Sequence, residues 1–178
     1  YYNKPCQDGI IDYVTKIHDA TETPIILYNI PGRSVVDISN DTMRKLAQLE
    51  RVIGVKDATG DLNKALDTVN DIGKDFVLLS GDDSTATLFN FAGGQGCISA
   101  LSNVVPALCV EGQNAFLNKD YETAIAIQHK LHPLQKAIYQ ATNPMGVKYA
   151  LSIIDDKLVN VKNILRSPLV PASATISE

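Results

Sequence analysis

Four short apolar runs recur along the chain, starting at residues 25, 52, 76 and 96, and each is followed by a stretch of helical periodicity. The runs are Ile25-Ile26-Leu27-Tyr28, Val52-Ile53-Gly54-Val55-Lys56, Phe76-Val77-Leu78-Leu79 and Gly96-Cys97-Ile98-Ser99. Their apolar character is continuous instead of alternating, which predicts strands buried on both faces. A strand-then-helix repeat predicts βα units and a parallel sheet. Four such units fit an open, doubly wound sheet or half of an eight-stranded barrel, and the pattern leaves both open. In either architecture the functional residues belong at the carboxyl ends of the strands.

The intervening segments carry their own signals. Ile10, Ile11, Val14 and Ile17 stand at helical spacing and predict a helix over residues 7–20. Residues 29–33, Asn-Ile-Pro-Gly-Arg, are loop chemistry. Ser39 or Asn40 caps a helix over 41–49, and Thr59 or Asp61 caps another that runs to Ile72 and stops at Gly73. Asp82 and Asp83 stand where the N-cap of a helix over 84–91 belongs. Three more helical stretches follow, over 104–117, 121–141 and 144–153.

Composition removes several function classes. With 45% hydrophobic and 20% charged residues, the 178-residue chain has the makeup of a globular domain. A net charge of −4 argues against nucleic acid, whose binding needs a basic face. The apolar runs are too short to span a bilayer, and no secretory leader opens the chain, so a cytoplasmic location is expected. Cys6, Cys97 and Cys109 are odd in number and widely spaced, consistent with reduced thiols. The chain opens Tyr1-Tyr2-Asn3-Lys4-Pro5 without methionine, and its tail from Pro168 lacks an amphipathic element, so it reads as a piece of something longer.

Tyr28 and Lys56 each close an apolar strand. A lysine held in a partly desolvated pocket loses its proton more readily and can attack a carbonyl; the competing reading is a lysine that snorkels to the sheet's rim. A phenol alone is a poor acid or base near neutrality, so Tyr28 serves only as part of a relay, or else is a core tyrosine. Arg33, after a Pro-Gly turn at the same rim, offers a two-pronged clamp for a carboxylate or is a solvated loop arginine. Ser80-Gly81-Asp82-Asp83 suggests paired carboxylates for a metal, but a helix cap explains it more simply. Ala92-Gly93-Gly94-Gln95-Gly96 precedes a strand, so it lacks the context of a phosphate loop. His129 and His132, three apart on a helix with no third ligand nearby, read as a surface pair.

Taken together, Tyr1-Tyr2-Asn3-Lys4-Pro5, Leu27 to Arg33 (LYNIPGR), Val52 to Gly60 (VIGVKDATG), Leu79 to Asp83 (LSGDD) and Asn143 to Lys148 (NPMGVK) resemble the dihydrodipicolinate synthase family, in order and spacing, from Tyr1 to about Pro171. The lysine and tyrosine motifs are shared with other pyruvate aldolases such as N-acetylneuraminate lyase, while Arg33 after Ile-Pro-Gly favours the synthase. The resemblance implies a (β/α)8 TIM barrel, of which residues 1–118 would supply the second half and 119–178 a C-terminal helical region. It implies condensation of pyruvate with L-aspartate 4-semialdehyde in lysine and diaminopimelate biosynthesis, with Lys56 as Schiff-base lysine. Tyr28 and Tyr2 would form the proton relay, Tyr2 reaching across a subunit interface, and Arg33 would hold the aldehyde's carboxylate. The Ile98 carbonyl would line the pyruvate site, and Tyr1 would correspond to an allosteric lysine cleft. No metal or organic cofactor is implied, and the partner would be a second copy in a homodimer or homotetramer. A truncated, non-catalytic chain is the alternative of a different class, because an eight-stranded barrel needs roughly 250 residues.

Overall fold

Three of the four apolar runs form strands in the computed structural model, which describes residues 1–154 and 162–172. They are β1 (Ile25–Asn29), β2 (Val52–Asp57) and β3 (Val77–Ser80), all parallel and ordered β1-β2-β3. The fourth run, expected as a strand over 96–99, is reduced to one parallel bridge between Ser80 and Cys97. The Ser80 N–H donates to the Gly96 carbonyl and the Ile98 N–H to the Ser80 carbonyl, each at 2.9 Å. Pairing stops there: β3 itself ends at Ser80, and beyond the bridge the Ser99 hydroxyl accepts the Ser102 N–H at 2.9 Å in a local turn.

Helices α1 (Gln7–Ala20), α2 (Pro31–Ser34), α3 (Asn40–Leu46), α4 (Leu62–Ile72) and α5 (Ala86–Phe91) accompany the strands. Their local chemistry follows the caps: Ser39 accepts the Thr42 N–H at 3.2 Å, and Asp61 accepts the Asn63 N–H at 2.9 Å. Gly73, at φ 107°, ends α4 in a conformation that glycine adopts without strain. Two local expectations change. The segment 29–33 contains the start of α2, because Pro31 supplies a preset φ at the first helical turn. Asp82 does not cap α5; its carboxylate accepts from the Ser84 and Thr85 hydroxyls and closes the turn before the helix.

The core of this unit lies on one face of the sheet. Val14 of α1, Met43 and Leu46 of α3, Ala65 of α4 and Phe89 of α5 join Leu27, Val55 and Leu78 in a single cluster. Burial on both faces, expected from the apolar runs, is not found here: Ile26 stays 42% exposed and Tyr28 50%. In sequential parallel order each right-handed crossover returns its helix to the same side, so these helices leave the opposite face open. That open face carries Tyr28, Lys56 and Leu79 as neighbours across the three strands.

The chain divides into two compact units, Tyr1–Ile98 and one beginning at Ser99. The second holds a 3-10 turn (Leu101–Asn103), α6 (Pro106–Leu117), α7 (Tyr121–Ile138) and α8 (Met145–Ile153). Leu101, Ile138, Val147 and Ala150 form its buried centre. Asp120 caps α7, and its bonds from the Thr123 hydroxyl and N–H hold the carboxyl below its ordinary range. That cap is therefore complete above the ordinary carboxylate range and weakens as pH falls below it. Residues 155–161 and 173–178 of the expected C-terminal region lie outside the described residues. Among the described residues no helix is long and apolar enough to cross a membrane.

Candidate active site

Lys56 and Tyr28 sit one residue before the ends of β2 and β1, at paired positions of the ladder. The pairing depends on an irregularity in β2. Ile25 faces Val52, but Ile26 faces Gly54, so Ile53 is an extra residue. Without it, Tyr28 would face Val55, whose side chain is buried under the helices. With it, the Lys56 Nζ stands 4.0 Å from the centre of the Tyr28 ring. The ring face attracts the ammonium form and fixes the amine at the strand ends, beside a phenol able to pass a proton along a relay.

Space around this amine is bounded by Gly81, which follows β3 and which the sequence marked only as part of the Leu79 to Asp83 motif, without a steric role. Its N–H donates to the Asp57 carbonyl at 2.6 Å. A Cβ at this position would lie 3.0 Å from Lys56 Cε and 2.7 Å from Ala58 Cβ, so the lysine stem occupies room that only glycine leaves.

Arg33 is exposed on α2, whose turn is closed by the Ser34 hydroxyl donating to the Ile30 carbonyl at 2.9 Å. Val35 follows in the left-handed region at φ 68° and ends the turn. Tyr1 and Tyr2 are almost fully exposed at the start of the chain. Tyr1 borders a hollow of about 410 Å³ with Tyr13, Ile26, Tyr28 and Val36. That hollow does not include Lys56 and follows the free edge of β1, so it is a gap beside the sheet more than a substrate cavity. Ile98 closes the unit with its amide bonded to Ser80 and its side chain 45% exposed.

Behind the strand ends, on the helix side, lies a polar chain that sequence reasoning also missed. The Asn29 amide donates to Asp37 at 2.7 Å and to Asp57 at 3.1 Å, while its carbonyl accepts the Ile38 N–H at 3.1 Å. Lys64 donates to both Asp37 oxygens at 2.6 and 2.7 Å and to the Ile38 carbonyl at 2.5 Å. Asp57 also accepts the Thr59 N–H at 3.0 Å and hydroxyl at 2.5 Å. The available signal was positional: Asn29 and Asp57 each follow a candidate residue at a strand end, where a polar side chain pointing into the helix layer demands a partner.

Other sequence candidates fall away from this cluster. His129 and His132 are exposed on α7, and among the described residues no group of three or more His, Cys, Asp or Glu side chains is placed to hold a metal ion.

Comparison with known proteins agrees with this arrangement. The model of the dihydrodipicolinate synthetase family matches residues 1–178. A 4-hydroxy-tetrahydrodipicolinate synthase of Roseobacter denitrificans is 56% identical over 155 residues, covering 87% of this chain and 53% of that protein. A dihydrodipicolinate synthase structure from Thermotoga maritima superposes with a TM-score of 0.93 at 37% identity, covering 99% of this chain and 60% of the other. The chloride-inhibited dihydrodipicolinate synthase of Acinetobacter baumannii, solved with pyruvate, superposes with a TM-score of 0.92 at 34% identity, covering 99% and 60%. The chain thus spans a little over half the length of the relatives it matches.

Proposed function

The chain belongs to the dihydrodipicolinate synthetase family, and we propose that it supplies the Schiff-base half of a pyruvate-condensing synthase. The observation that carries this reading is the Lys56 amine held 4.0 Å from the Tyr28 ring at the carboxyl ends of two parallel strands. In this reading the sheet is part of a (β/α)8 barrel in a longer polypeptide. Its sequential strand order and one-sided helices support a barrel over a doubly wound sheet, whose helices cover both faces. The open face with Tyr28 and Lys56 would then be barrel interior.

The chemistry follows from the residues. The Lys56 Nζ adds to the ketone carbon of pyruvate and water leaves, giving an imine. Loss of a methyl proton gives the enamine, whose carbon bonds to the aldehyde carbon of L-aspartate 4-semialdehyde. The amine of that adduct attacks the imine carbon, closes the ring and releases Lys56, giving 4-hydroxy-tetrahydrodipicolinate. Tyr28 passes protons in these steps, together with Tyr2 from a neighbouring copy. Arg33 pairs with the aldehyde's carboxylate, and the Ile98 carbonyl borders the pyruvate. Tyr1 would belong to an effector cleft at the subunit boundary. Self-association would then be a condition of turnover, because one copy contributes Tyr2 to the next.

Borohydride reduction in the presence of pyruvate, followed by peptide mapping, tests the assignment. A pyruvate-dependent adduct on Lys56 is expected in the full-length protein. An adduct on the isolated chain as well would mean the remaining strands are dispensable for imine formation. Absence of adduct in both ends the enzymatic reading.

A Gly81→Ala change adds a methyl 2.7 Å from Ala58 Cβ and 3.0 Å from Lys56 Cε, so Ala58 must shift and the lysine stem must give by a few tenths of an ångström. Displacing a reacting group by about 1 Å costs on the order of 100-fold in rate. The smaller shift expected at Lys56 should slow imine formation in stopped-flow by less, about tenfold, while the fold is retained by circular dichroism. An unchanged rate would show that the lysine stem does not depend on this gap.

A further inference from the structure

The bonds behind the strand ends form a closed circuit around the Arg33 turn. Asn29 stands before α2 and Asp37 and Ile38 stand after it, and Asn29 bonds both of them. The turn is thus drawn shut at its base by one side chain. Lys64, only 8% exposed, then ties that base to α4. Asp57, 5% exposed, ties it to the end of β2, next to Lys56. The Ala58 N–H donating to the Asn29 carbonyl at 2.8 Å adds a backbone tie at the same point.

A buried lysine in this position is costly unless it does something an apolar side chain cannot, since buried ion pairs are often replaceable by hydrophobic packing without loss of stability. A hydrophobic residue at 64 would fill the same space but would leave the half-exposed Asp37 carboxylate with the Asn29 amide alone and the Ile38 carbonyl without the lysine. The circuit therefore specifies a geometry more than it adds stability.

We propose that Lys64, Asp37, Asn29 and Asp57 are positioning residues that hold the Arg33 turn at a set distance from Lys56, and so fix where the carboxylate of the second substrate sits. The proposal rests on the synthase reading above, in which Arg33 receives that carboxylate. Its consequence is selective. Pyruvate binds covalently at Lys56 and does not depend on Arg33, so loosening the turn should affect the aldehyde and spare the imine.

The test uses the full-length protein with Lys64→Met and Lys64→Arg. Lys64→Met should raise KM for the semialdehyde about tenfold or more, with KM for pyruvate and the extent of borohydride trapping within twofold of the unsubstituted protein. Lys64→Arg, which keeps a donor to Asp37, should recover most of the loss. An unchanged semialdehyde KM, or an equal rise in both KM values, would overturn the clamp. If the unsubstituted protein forms no imine, the synthase reading itself fails and the clamp falls with it, which separates the two failures. A second measurement on the 178-residue chain needs no turnover. Amide hydrogen exchange at Arg33, Ser34, Val35 and Ile38 should quicken about tenfold in Lys64→Met while Val55 and Leu78 stay protected. Uniform quickening, or none, would overturn the proposal.

Discussion

If the proposed function holds, Lys56→Arg is expected to abolish the borohydride-trapped pyruvate adduct and to lower turnover of the full-length protein by on the order of 1,000-fold or more, about 4 kcal/mol of barrier. Arginine is the informative substitution because it keeps a cation for the Tyr28 ring, which Lys56 now faces at 4.0 Å. A guanidinium stays protonated throughout the accessible pH range and has no free pair to add to a ketone. The variant would therefore remove the proposed nucleophile while preserving charge and much of the packing. The measurement is intact mass after reduction with pyruvate, paired with coupled turnover and a thermal melt. A variant that keeps its adduct, or turns over within tenfold of the unsubstituted protein, would show that the reacting amine lies elsewhere. A lost adduct together with a collapsed melt would be read from Lys56→Met as a second variant, since methionine keeps the stem without the charge.

The second large effect is structural. Leu46→Ala is expected to lower stability by about 2–5 kcal/mol, toward the upper end, because Leu46 is fully enclosed in the cluster between helices and sheet. For a chain of this size that is a fall in melting temperature on the order of 10 °C. The same truncation at Ile26, which is 42% exposed on the open face, should cost less than about 1 kcal/mol in the isolated chain. The pair of melts tests whether the core lies on one side of the sheet. Equal losses at the two positions would mean that the face carrying Lys56 is packed against something in solution. A negligible loss at Leu46 would contradict the enclosure of α3 against the strands.

The parallel sheet was legible because its signals are local and repeated. Three apolar runs became strands at or within a residue or two of where the pattern put them, and the first helix matched over residues 7–20. Ser39, Asp61 and Gly73 marked helix ends because capping is settled by the residues at the cap itself. The fourth run kept only one bridge, where its neighbour β3 ends at Ser80 and the backbone passes into the turn bonded at Ser99. It was harder to weigh because Gly96-Cys97-Ile98-Ser99 has little strand propensity of its own.

The site divides along the same line. Sequence determined which residues stand at the carboxyl ends of the strands, and so nominated Tyr28 and Lys56, because the position of a residue in a strand is a one-dimensional property. It also determined that these strands are parallel and joined by helices. What it could not determine was register and close approach. Whether Tyr28 meets Lys56 or Val55 turns on one extra residue at Ile53, and a slip of one exchanges the two faces of the sheet. The room that Gly81 leaves for the lysine stem, and the bonding of Asn29 to Asp37 and Asp57, join residues between 8 and 28 apart in the chain or on different strands. Side chains of that kind acquire partners only when the strands and helices have packed, so tertiary structure alone decided them.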